Sequence, residues 1–580
     1  MFRWTVPRYR AKLLSPGRRR RPGLKGPSAM RQITVTYTSG ERVAFPAGVK
    51  VADIIGHMGS LPWPLAAVLV NNELKPLDSP LLTDCTVAPV TIDTVQGATT
   101  YRRSLCFLLA IATRDLHPGR RLVAGMAIGT GFFHHFADGT PMSPEEVAAL
   151  GRRMRELVER DVPISLEWRA WADAVEYFRN SSQPDTLLLL ENLNDSLIPL
   201  NECAGFRDLH VQPLVPSTGV LRTFELLAYQ GGLLLRYPHK ESPDTINPFV
   251  DDPVLYSIAK ETRERALVLG VSSVGSLNRV NASKGIKDYI QVAESLQNKK
   301  IAGIADMIAS RSDYVKVVLI AGPSSSGKTT TSKKLSIQLK VMGFEPLVIS
   351  LDDYFVDRER TPRDEKGDYD FERLEALDVE YLNDQLLALF AGKEIELPSF
   401  DFKTGSRRSS GKKIKMDKRH ILVIEGIHGL NDRLTPRIPK EQKFKIYVSA
   451  LTQLNLDDHN RVSTTDNRLL RRMVRDYNFR GHSAQDTLKM WPSVQRGEAK
   501  HIFPFQNSAD AAFNSALDYE LGVLKIYADP LLRTVKPTAP EYSEARRLQA
   551  FLDNFTPIPA QSVPGDSILR EFIGDSEFKY

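Results

Sequence analysis

The sequence predicts a mixed α/β chain in which a central parallel sheet follows a β-grasp-like unit and an α+β unit. Three observations predict this fold class. The length of 580 residues implies roughly four domains at about 150 residues each. The run KVVLIAG (316–322) is unbroken and apolar, as in a parallel strand buried on both faces, and a glycine-rich loop follows it. Near the start, RQITVTYTSGERVAF (31–45) alternates apolar and polar residues around a turn, which predicts a β-hairpin.

Composition and charge exclude several classes of protein. With 42% hydrophobic and 25% charged residues, the chain is unlike a disordered, collagen-like or coiled-coil protein. Its apolar runs, such as LCFLLAIA (105–112), have fewer than ten residues, whereas a bilayer span needs about twenty, so we expect a soluble protein with no membrane contact. The net charge is +7, but residues 1–30 carry nine Lys/Arg and no acid, so the rest sums to −2. The basic excess therefore does not indicate a DNA-binding protein.

The basic tail and the cysteines bear on location. An acid-free, Arg-rich segment at 1–30 is typical of a targeting peptide, of an arm for nucleic acid or anionic membranes, or of an unstructured leader before a start at Met30, and the residues do not decide between these. Cys85, Cys106 and Cys203 form no metal-spaced pair, which favours a reducing compartment. We expect a cytoplasmic protein.

The pattern along the chain divides it into five parts. After the hairpin, VKVADIIGHMG predicts a short helix that ends at Gly59, and further strands complete a compact unit. Ser143 is placed to cap a helix with Glu145 and Glu146 in its first turn. EYSEARRLQAFLDNF (541–555) predicts one amphipathic helix, and the last twenty residues predict a loosely tethered end. The predicted parts are 1–30, 31–94, 96–290, 300–530 and 531–580.

The strongest motif has the spacing G-x4-G-K-[ST]. Glycines let successive backbone N–H groups point at phosphate oxygens, and the following helix adds its positive N-terminal dipole. Lys328 supplies a positive charge for β- and γ-phosphates, and the Thr329 hydroxyl is a ligand for Mg²⁺. The predicted nucleotide-binding residues are Gly322, Pro323, Ser324, Ser325, Ser326, Gly327, Lys328, Thr329 and Thr330.

Acidic residues follow two further predicted strands. Asp352 and Asp353 end PLVISLDD (346–353), and Glu425 ends the strand in RHILVIEGIHGL (419–430). Carboxylates at the C-terminal ends of neighbouring parallel strands lie in the crevice where ligands bind, and one of them can accept a proton from an attacking hydroxyl. The alternative for each acid alone is helix capping or simple exposure to solvent.

A basic helix is predicted in DNRLLRRMVRDYNFRGHS (466–483). It places Arg471, Arg472, Arg475 and Arg480 on and just after one helix, with residues 468, 472 and 475 on one face. Such arginines close over a transferring phosphoryl group in related chemistry. A solvated basic helix is the alternative.

These motifs occur together in one known family. Residues 316–520 resemble the uridine kinase/phosphoribulokinase family of P-loop kinases, in the segments GPSSSGKTT, ISLDDYF, GDYDFERLEALD, LPSFDFKTGSR (397–407), VIEGIHGL and RRMVRDYNFRG. The resemblance implies MgATP-dependent transfer of a γ-phosphoryl group to a sugar hydroxyl, most simply the 5′-hydroxyl of a nucleoside.

The resemblance also implies roles for individual residues. Asp352 would be the catalytic base and a metal-shell acid, with Thr329 and Glu425 as the other metal-shell groups. Asp370 would hold the ribose hydroxyls, and Arg472, Arg475 and Arg480 would form the lid. The implied catalytic set is Asp352, Lys328, Arg472, Arg475 and Arg480, and the implied substrate-binding set is Asp352, Asp370, Phe355, Phe400 and Arg472.

Several positions depart from the uridine–cytidine kinases. Those enzymes read the pyrimidine with a Tyr and a His where this chain has Phe400 and Gly405. A Tyr after the catalytic Asp is Phe355 here, and a lid arginine is His482. Because lost hydrogen-bond donors change selectivity strongly, uridine as the acceptor does not follow from the resemblance.

The N-terminal part resembles other proteins. Residues 31–94 resemble a TGS domain, and roughly 96–230 resemble the second additional, editing-type domain of threonyl-tRNA synthetase, through MAIGTGFFHHFADGTPMSPEEVAALGRRMREL and DLHVQPLVPSTGVLRTFELL. The editing centre of that family uses two His on a helix and a later Cys-x-x-x-His. The positions here are Arg103, Phe107, His210 and Leu214, so we do not expect deacylation. We interpret His134 and His135 as part of an amphipathic strand.

The motifs and resemblances leave three functions open. The first is a nucleoside kinase of the uridine kinase type that uses ATP and Mg²⁺. The second is a sugar or sugar-phosphate kinase, and the third is an RNA- or ribosome-associated ATP-binding regulatory protein. The N-terminal module would serve as a scaffold, an RNA-contacting module or a sensor, and oligomerisation is left open.

Overall fold

The computed structural model describes residues 31–363, 367, 369–401, 404–452 and 454–579, with the side chains of residues 265 and 267 excluded. The predicted basic tail, 1–30, lies outside the described residues. The predicted fold class is confirmed: a parallel sheet with helices follows a β-grasp-like unit and an α+β unit.

The first unit is a five-stranded mixed sheet with a separate two-stranded pair, Val49–Lys50 and Pro80–Leu81. Its first two strands form the predicted hairpin, and the first strand also pairs in parallel with Cys85–Thr91. Val51 and Ile54 on the predicted short helix complete the core beneath the sheet, and the following 3₁₀ turn ends at Gly59. The strands are Gln32–Tyr37, Arg42–Pro46, Val49–Lys50, Leu65–Val70, Glu73–Lys75, Pro80–Leu81 and Cys85–Thr91, and the helix is Val51–Ile54.

The second unit contains two antiparallel sheets. The helix Pro144–Glu159 begins with the predicted cap, Ser143, which forms a capping box with Glu146. The four-stranded sheet includes the strand Gly131–Phe136, which confirms the strand predicted for His134 and His135. The strands are Leu122–Ile128, Gly131–Phe136, Ser165–Ala170, Leu197–Cys203, Phe206–Leu209, Glu225–Tyr229 and Gly232–Arg236, and the helices are Val95–Leu116, Pro144–Glu159, Trp171–Asn180 and Pro184–Leu190. Together the two units form the N-terminal module (residues 31–236).

Three linking helices connect this module to the rest of the chain: Pro253–Leu269, Val274–Ala282 and Ile286–Ala309. The third helix runs through residues 290–300, where the sequence suggested a change of domain. Its buried Ile301, Ile304 and Ile308 belong to the same apolar core as Leu335 and Leu339 of the helix after the phosphate loop. The same core includes Phe178, Leu190 and Leu200, so the second unit of the chain and the phosphate-loop unit share one core.

The phosphate-loop unit is built on a five-stranded sheet whose strands are all parallel. In spatial order they are Glu345–Ser350, His420–Glu425, Val317–Ala321, Lys443–Ser449 and Ala511–Asn514. The run 316–322 thus forms the central strand, as predicted. Strands Ile395–Asp401 and Ser406–Ile414 form a separate antiparallel pair. The helices are Lys328–Val341, Val379–Phe390, Thr464–Arg475, Ala484–His501, Glu520–Leu532, Tyr542–Asp553 and Arg570–Ile573.

The end of the chain departs from the prediction. The predicted helix at 541–555 is confirmed as Tyr542–Asp553, but the residues after it are not loosely tethered. Ile568, Leu569 and Phe572 are fully buried in the main core. Across the part of the chain that the structure describes, no helix combines the length and apolar character needed to cross a membrane.

Candidate active site

The phosphate loop (residues 322–329) leaves the central strand and enters the helix Lys328–Val341. Gly327 has φ of 78° and Ser325 φ of 58°, so the loop curls through the left-handed region. A Cβ on Gly322 would lie 2.0 Å from the carbonyl oxygen of Val448, so only glycine fits there. The hydroxyls of Ser325 and Ser326 are buried and have no hydrogen-bond partner among the described residues. Such unpaired groups beside a helix N-terminus suit a phosphate ligand.

A buried ion pair holds the first half of this loop. The Ser324 N–H donates to Glu498 Oε1 at 2.8 Å. Arg468 donates to both oxygens of Glu498, at 2.6 and 2.7 Å, and to the Ser324 carbonyl at 3.1 Å. Glu498 is 1% exposed, so its charge depends on Arg468.

A second buried ion pair, Arg471 with Glu520, also contacts the phosphate loop. Arg471 is fully buried, lies 2.5 Å from Glu520, and donates to the Ser325 carbonyl at 3.3 Å. Arg471 therefore belongs to the core rather than to the open face of its helix.

The three predicted lid arginines surround one buried acid, Asp476. Arg472 Nε lies 3.1 Å from its carboxylate, Arg480 Nη1 lies 3.3 Å away and Arg475 Nε lies 3.9 Å away. Arg472 also donates to Ser324 Oγ at 2.9 Å, which places it on the phosphate loop. Arg480 is the most exposed of the three and closes a π-helical turn, Asp476–Arg480, of a kind that is frequent at functional sites.

The acids at the strand ends meet beside the loop. Glu425 pairs in register with Ile320 and Ser350, so three strand ends coincide. Its Oε1 accepts hydrogen bonds from Ser350 Oγ at 2.9 Å and from Thr329 Oγ1 at 3.4 Å. Burial, and next the charge of Asp352, raise the pKa of Glu425 above its usual range, while Lys328 opposes this.

Asp352 and Asp353 differ in exposure and in hydrogen bonding. Asp352 is exposed at the start of the 3₁₀ turn Leu351–Tyr354. Asp353 turns inward and accepts the Phe400 N–H at 3.3 Å, and burial raises its pKa. Asp352 is therefore the more exposed of the two carboxylates.

The donor set around Thr329 fits a magnesium ion bound together with phosphates. Thr329 offers a hydroxyl, and Glu425 and Asp352 offer carboxylates. Magnesium keeps several waters and needs only one or two carboxylates beside substrate phosphates. Within the described ranges no three His, Cys, Asp or Glu side chains cluster as a metal site of their own. The residues present fit an ion that arrives with a nucleotide.

The segment predicted to hold the acceptor shows an acid that the sequence prediction missed. The Asp370 carboxylate accepts the Glu372 N–H at 3.2 Å and lies 4.0 Å from His501. Glu372 packs so closely on Gly497 that a Cβ there would lie 2.4 Å from its Cγ. Burial and then the charge of Glu498 raise the pKa of Glu372 to about 7, while Arg472 and Lys328 act against the shift. The Glu372 carboxylate therefore interacts electrostatically with the charged groups around the loop.

The predicted aromatic contacts form a buried cluster. Phe355 lies 5.6 Å from Phe400 and 5.8 Å from Phe371 between ring centroids, and Phe355 and Phe400 are 6% and 7% exposed. At Gly405, with φ of 70°, a Cβ would lie 2.6 Å from Arg358 Nε, so the Arg358 side chain lies over the position of the missing His.

The C-terminal segment (residues 556–579) docks on the phosphate-loop helix. Glu571 Oε2 accepts hydrogen bonds from Thr330 N at 3.3 Å and Thr330 Oγ1 at 2.6 Å. Its other oxygen lies 3.7 Å from Arg475 Nη1. A Cβ on Gly327 would lie 2.6 Å from Ile568 Cγ2. The only sequence signal for this contact is the short apolar pattern of ILREFI (568–573).

The positions aligned with an editing centre also converge. Arg103, Phe107 and Leu214 line one small cavity, together with residues that include Cys106 and His459. Beside it, His210 Nδ1 lies 2.8 Å from Asn201 Oδ1, and burial lowers the pKa of His210 to about 4.

Comparison with known protein families matches one segment of the chain. Residues 317–521 match the model of the Phosphoribulokinase / Uridine kinase family. This segment is a P-loop kinase domain of that family. Two solved structures similar to the kinase domain are "Structure of a Possible Uridine Kinase from Bacillus stearothermophilus" and D-glycerate 3-kinase from Cryptococcus neoformans. The first is 22% identical, with a TM-score of 0.24 over 37% of this chain and 98% of that one. The second is 13% identical, with a TM-score of 0.20 over 43% and 87%.

The N-terminal part is similar to threonine–tRNA ligases. The ligase of Geobacter sp. (strain M21) is 29% identical over 203 residues, 35% of this chain and 32% of the ligase. The ligase of Burkholderia mallei (strain SAVP1) is 30% identical over 203 residues, 34% and 32% of the two chains. The chain thus spans about a third of the length of these ligases. The predicted resemblances are confirmed for both parts.

Proposed function

We propose that the kinase domain transfers the γ-phosphoryl group of ATP to a hydroxyl of a small sugar-containing acceptor, most simply the 5′-hydroxyl of a nucleoside. One observation carries this proposal: Lys328, the exposed Asp352, Glu425 and Arg472 converge around one loop whose curled backbone suits phosphate. A cytoplasmic location is part of the proposal, because Cys85, Cys106 and Cys203 are all free thiols.

The phosphate loop would bind the β- and γ-phosphates through its backbone N–H groups, with Lys328 and Arg472 as the mobile positive charges. Lys328 Nζ donates to the Pro323 carbonyl at 3.2 Å, within reach of the same loop. Buried Arg468 and Arg471 fix the loop from the other side, so little reorganisation is needed when phosphate binds.

Thr329, Glu425 and Asp352 would hold Mg²⁺, which neutralises charge on the phosphates when it is bound. The Asp352 carboxylate would accept the proton of the attacking hydroxyl. A new bond forms between that oxygen and the γ-phosphorus, the bond from γ-phosphorus to the bridging oxygen breaks, and ADP leaves. Arg472, Arg475 and Arg480 would oppose the charge on the moving group.

Glu372 is the best-placed residue to bind acceptor hydroxyls. It lies near Lys328 and Asp352, and Asp370 fixes its backbone. Asp370 would then act on the substrate through Glu372.

A sugar or sugar-phosphate acceptor is the second candidate, favoured by a specific observation. Phe355 and Phe400 are buried against each other, and Arg358 lies over Gly405, where related enzymes read a base with polar groups. A guanidinium there suits an acceptor that already carries a phosphate.

The test is an acceptor panel on the full chain with MgATP, with Lys328→Ala as the control. The panel contains uridine, cytidine, adenosine, guanosine, thymidine and phosphorylated pentoses. A phosphorylated nucleoside that Lys328→Ala does not form supports the first candidate, and product from pentose phosphates alone supports the second. No product from any acceptor, together with no heat on mixing with MgATP, would contradict both.

A further inference from the structure

A cavity of about 360 Å³ lies where the N-terminal module meets the kinase domain. Its walls come from the strand pair Leu122–Ile128 and Gly131–Phe136, from the first linking helix, and from Thr452, Asn455 and Arg461 of the kinase domain. None of its lining residues belongs to the phosphate loop or to the acids beside it. The cavity is large enough for a small organic ligand.

The charged groups of this cavity are unevenly paired. Arg121 forms ion pairs with Asp185 and Asp458. Arg263 and Arg461 have no carboxylate within 4 Å among the described residues, and Arg461 donates only to the Thr452 carbonyl, at 3.3 Å. Two guanidinium groups therefore line the cavity with no carboxylate within 4 Å among the described residues, and Glu264, which also lines the cavity, forms no ion pair with either. Guanidinium groups in such a position bind carboxylate and phosphate strongly.

His135 adds a second independent observation. Its Nδ1 is buried and has no hydrogen-bond partner among the described residues, and its ring stacks on Phe133 at 5.6 Å. Burial, and next the charges of Arg263, His134 and Arg121, lower the pKa of His135 to about 3, so the ring is neutral at physiological pH. Of these charged groups, Arg263 is one of the two arginines that have no carboxylate within 4 Å among the described residues.

The remaining walls are largely apolar. Val123, Met126, Phe133 and Ala266 line the cavity. Met126 and Phe133 also belong to a buried cluster that continues to Ala321, at the end of the central strand, and to Tyr447.

We propose that this cavity binds a small organic anion, with its carboxylate or phosphate on Arg263 and Arg461 and its apolar part against Phe133 and Met126. Thr452, Asn455 and Arg461 belong to the segment that joins the strand Lys443–Ser449 to the helix Thr464–Arg475, which carries the lid arginines. A bound anion would thus contact the segment that leads from this cavity to the helix with the lid arginines. The inference does not rest on the reaction of the kinase domain.

The experiment is calorimetric titration of the full chain with phenyl phosphate, benzoate and phenol, which share one ring and differ in charge. The Lys328→Ala chain is titrated in parallel to remove binding at the phosphate loop. We expect at least one anion to bind both chains alike and phenol not to bind. Binding of phenyl phosphate alone identifies a phosphate ligand, and binding of benzoate alone a carboxylate ligand; either supports the site.

Two variants test whether the anion binds in this cavity. Arg263→Gln removes one guanidinium from a half-exposed side chain and should weaken anion binding at least about tenfold. Ala137→Trp, at an exposed position on the rim, changes no charge and should block entry. Arg152→Gln, on an exposed helix position outside the cavity, is the matched control and should bind as the parent does.

Hydrogen exchange supplies a readout that does not depend on activity. The anion should slow amide exchange in residues 121–141 and 450–463. No binding of either anion, equal binding of phenol, or unchanged binding in Arg263→Gln would each overturn the proposal.

Discussion

The kinase domain and the N-terminal module each bring together the residues that resemblance aligns with a functional centre, but they differ in what those residues can do. Around the phosphate loop, Lys328, Asp352 and Glu425 supply a cation and two carboxylates. Around the module's small cavity, Arg103, Phe107 and Leu214 supply a guanidinium, a ring and an alkyl chain. Both sets of positions converge in the structure, whereas only the first set contains the cation and the carboxylates that the proposed phosphoryl transfer needs. A fold can therefore bring the same positions together without supplying side chains that catalyse a reaction.

The largest expected effect tests this contrast directly. Lys328→Ala should lower phosphoryl transfer about 10³-fold, because a preorganised positive charge on the phosphates is lost. His210→Ala, the same kind of truncation in the module, should leave the rate unchanged. The measurement is initial rate with MgATP and the acceptor that the panel identifies. Equal losses in the two variants would show that the module takes part in the reaction.

A second prediction concerns the stability of the loop rather than its chemistry. Glu498→Gln leaves Arg468 buried without a full counter-charge, so the free energy of unfolding should fall by about 3 kcal/mol. Glu156→Gln removes a surface partner of Arg153 and should cost less than about 1 kcal/mol. Urea unfolding of both variants measures the difference. Similar small losses would mean that Glu498 does not support the phosphate loop.

A third prediction concerns the C-terminal segment. Glu571→Gln weakens the charge-assisted bonds to Thr330 and Arg475 and should lower the free energy of unfolding by about 1.5 kcal/mol. Asp575→Asn, at a side chain that is 96% exposed, is the control and should have no measurable effect. Amide exchange of residues 566–573 should also rise in Glu571→Gln alone. An unchanged exchange rate there would contradict the docked arrangement.

The next prediction concerns the junction between the two regions. Burial alone would lower the pKa of His459. The carboxylates of Asp208, Asp458 and Asp457 raise it by more than burial lowers it, so the pKa is about 9 instead of the ordinary 6.5. Because this pKa is raised in the folded state, its stabilising contribution is complete below pH 6.5 and is lost as the pH rises to about 9. The slope is at most about 1.4 kcal/mol per pH unit.

Thermal unfolding across this window checks the junction. The parent chain should lose stability as the pH rises from 6.5 to 9. His459→Gln, which cannot titrate, should show a flatter profile. Identical profiles would exclude His459 as the group responsible.

Local signals were enough to predict the strand–loop–helix of the phosphate site, the strand-end acids and the first hairpin. Each of these depends on residues that are close in sequence, such as the alternation in 31–45 or the spacing of 322–329. The π-helical turn after Arg475 and the separation of Asp352 from Asp353 depend on packing, and the sequence pattern does not contain them.

The errors arose where distant parts of the chain meet. Glu571 contacts Thr330, which is 241 positions away in sequence. Neighbours in sequence do not show this contact, so the prediction of a loosely tethered end was wrong. The contact of Glu372 with Gly497 is likewise tertiary, so the sequence pattern does not contain it, and the role of Asp370 stays a prediction. Helical spacing placed Arg471 beside Arg472, but the buried Glu520 determines that Arg471 points inward.

The most direct test of the central claim compares two adjacent aspartates in single-turnover phosphoryl transfer. Asp352→Asn should slow the transfer about 10²–10⁴-fold while ATP still binds, because the group that accepts the hydroxyl proton is lost. Asp353→Asn should transfer at close to the parent rate, because that carboxylate holds the Phe400 N–H instead. An Asp352→Asn chain that reacts as fast as the parent would contradict the claim that this loop and this acid form a phosphoryl-transfer site.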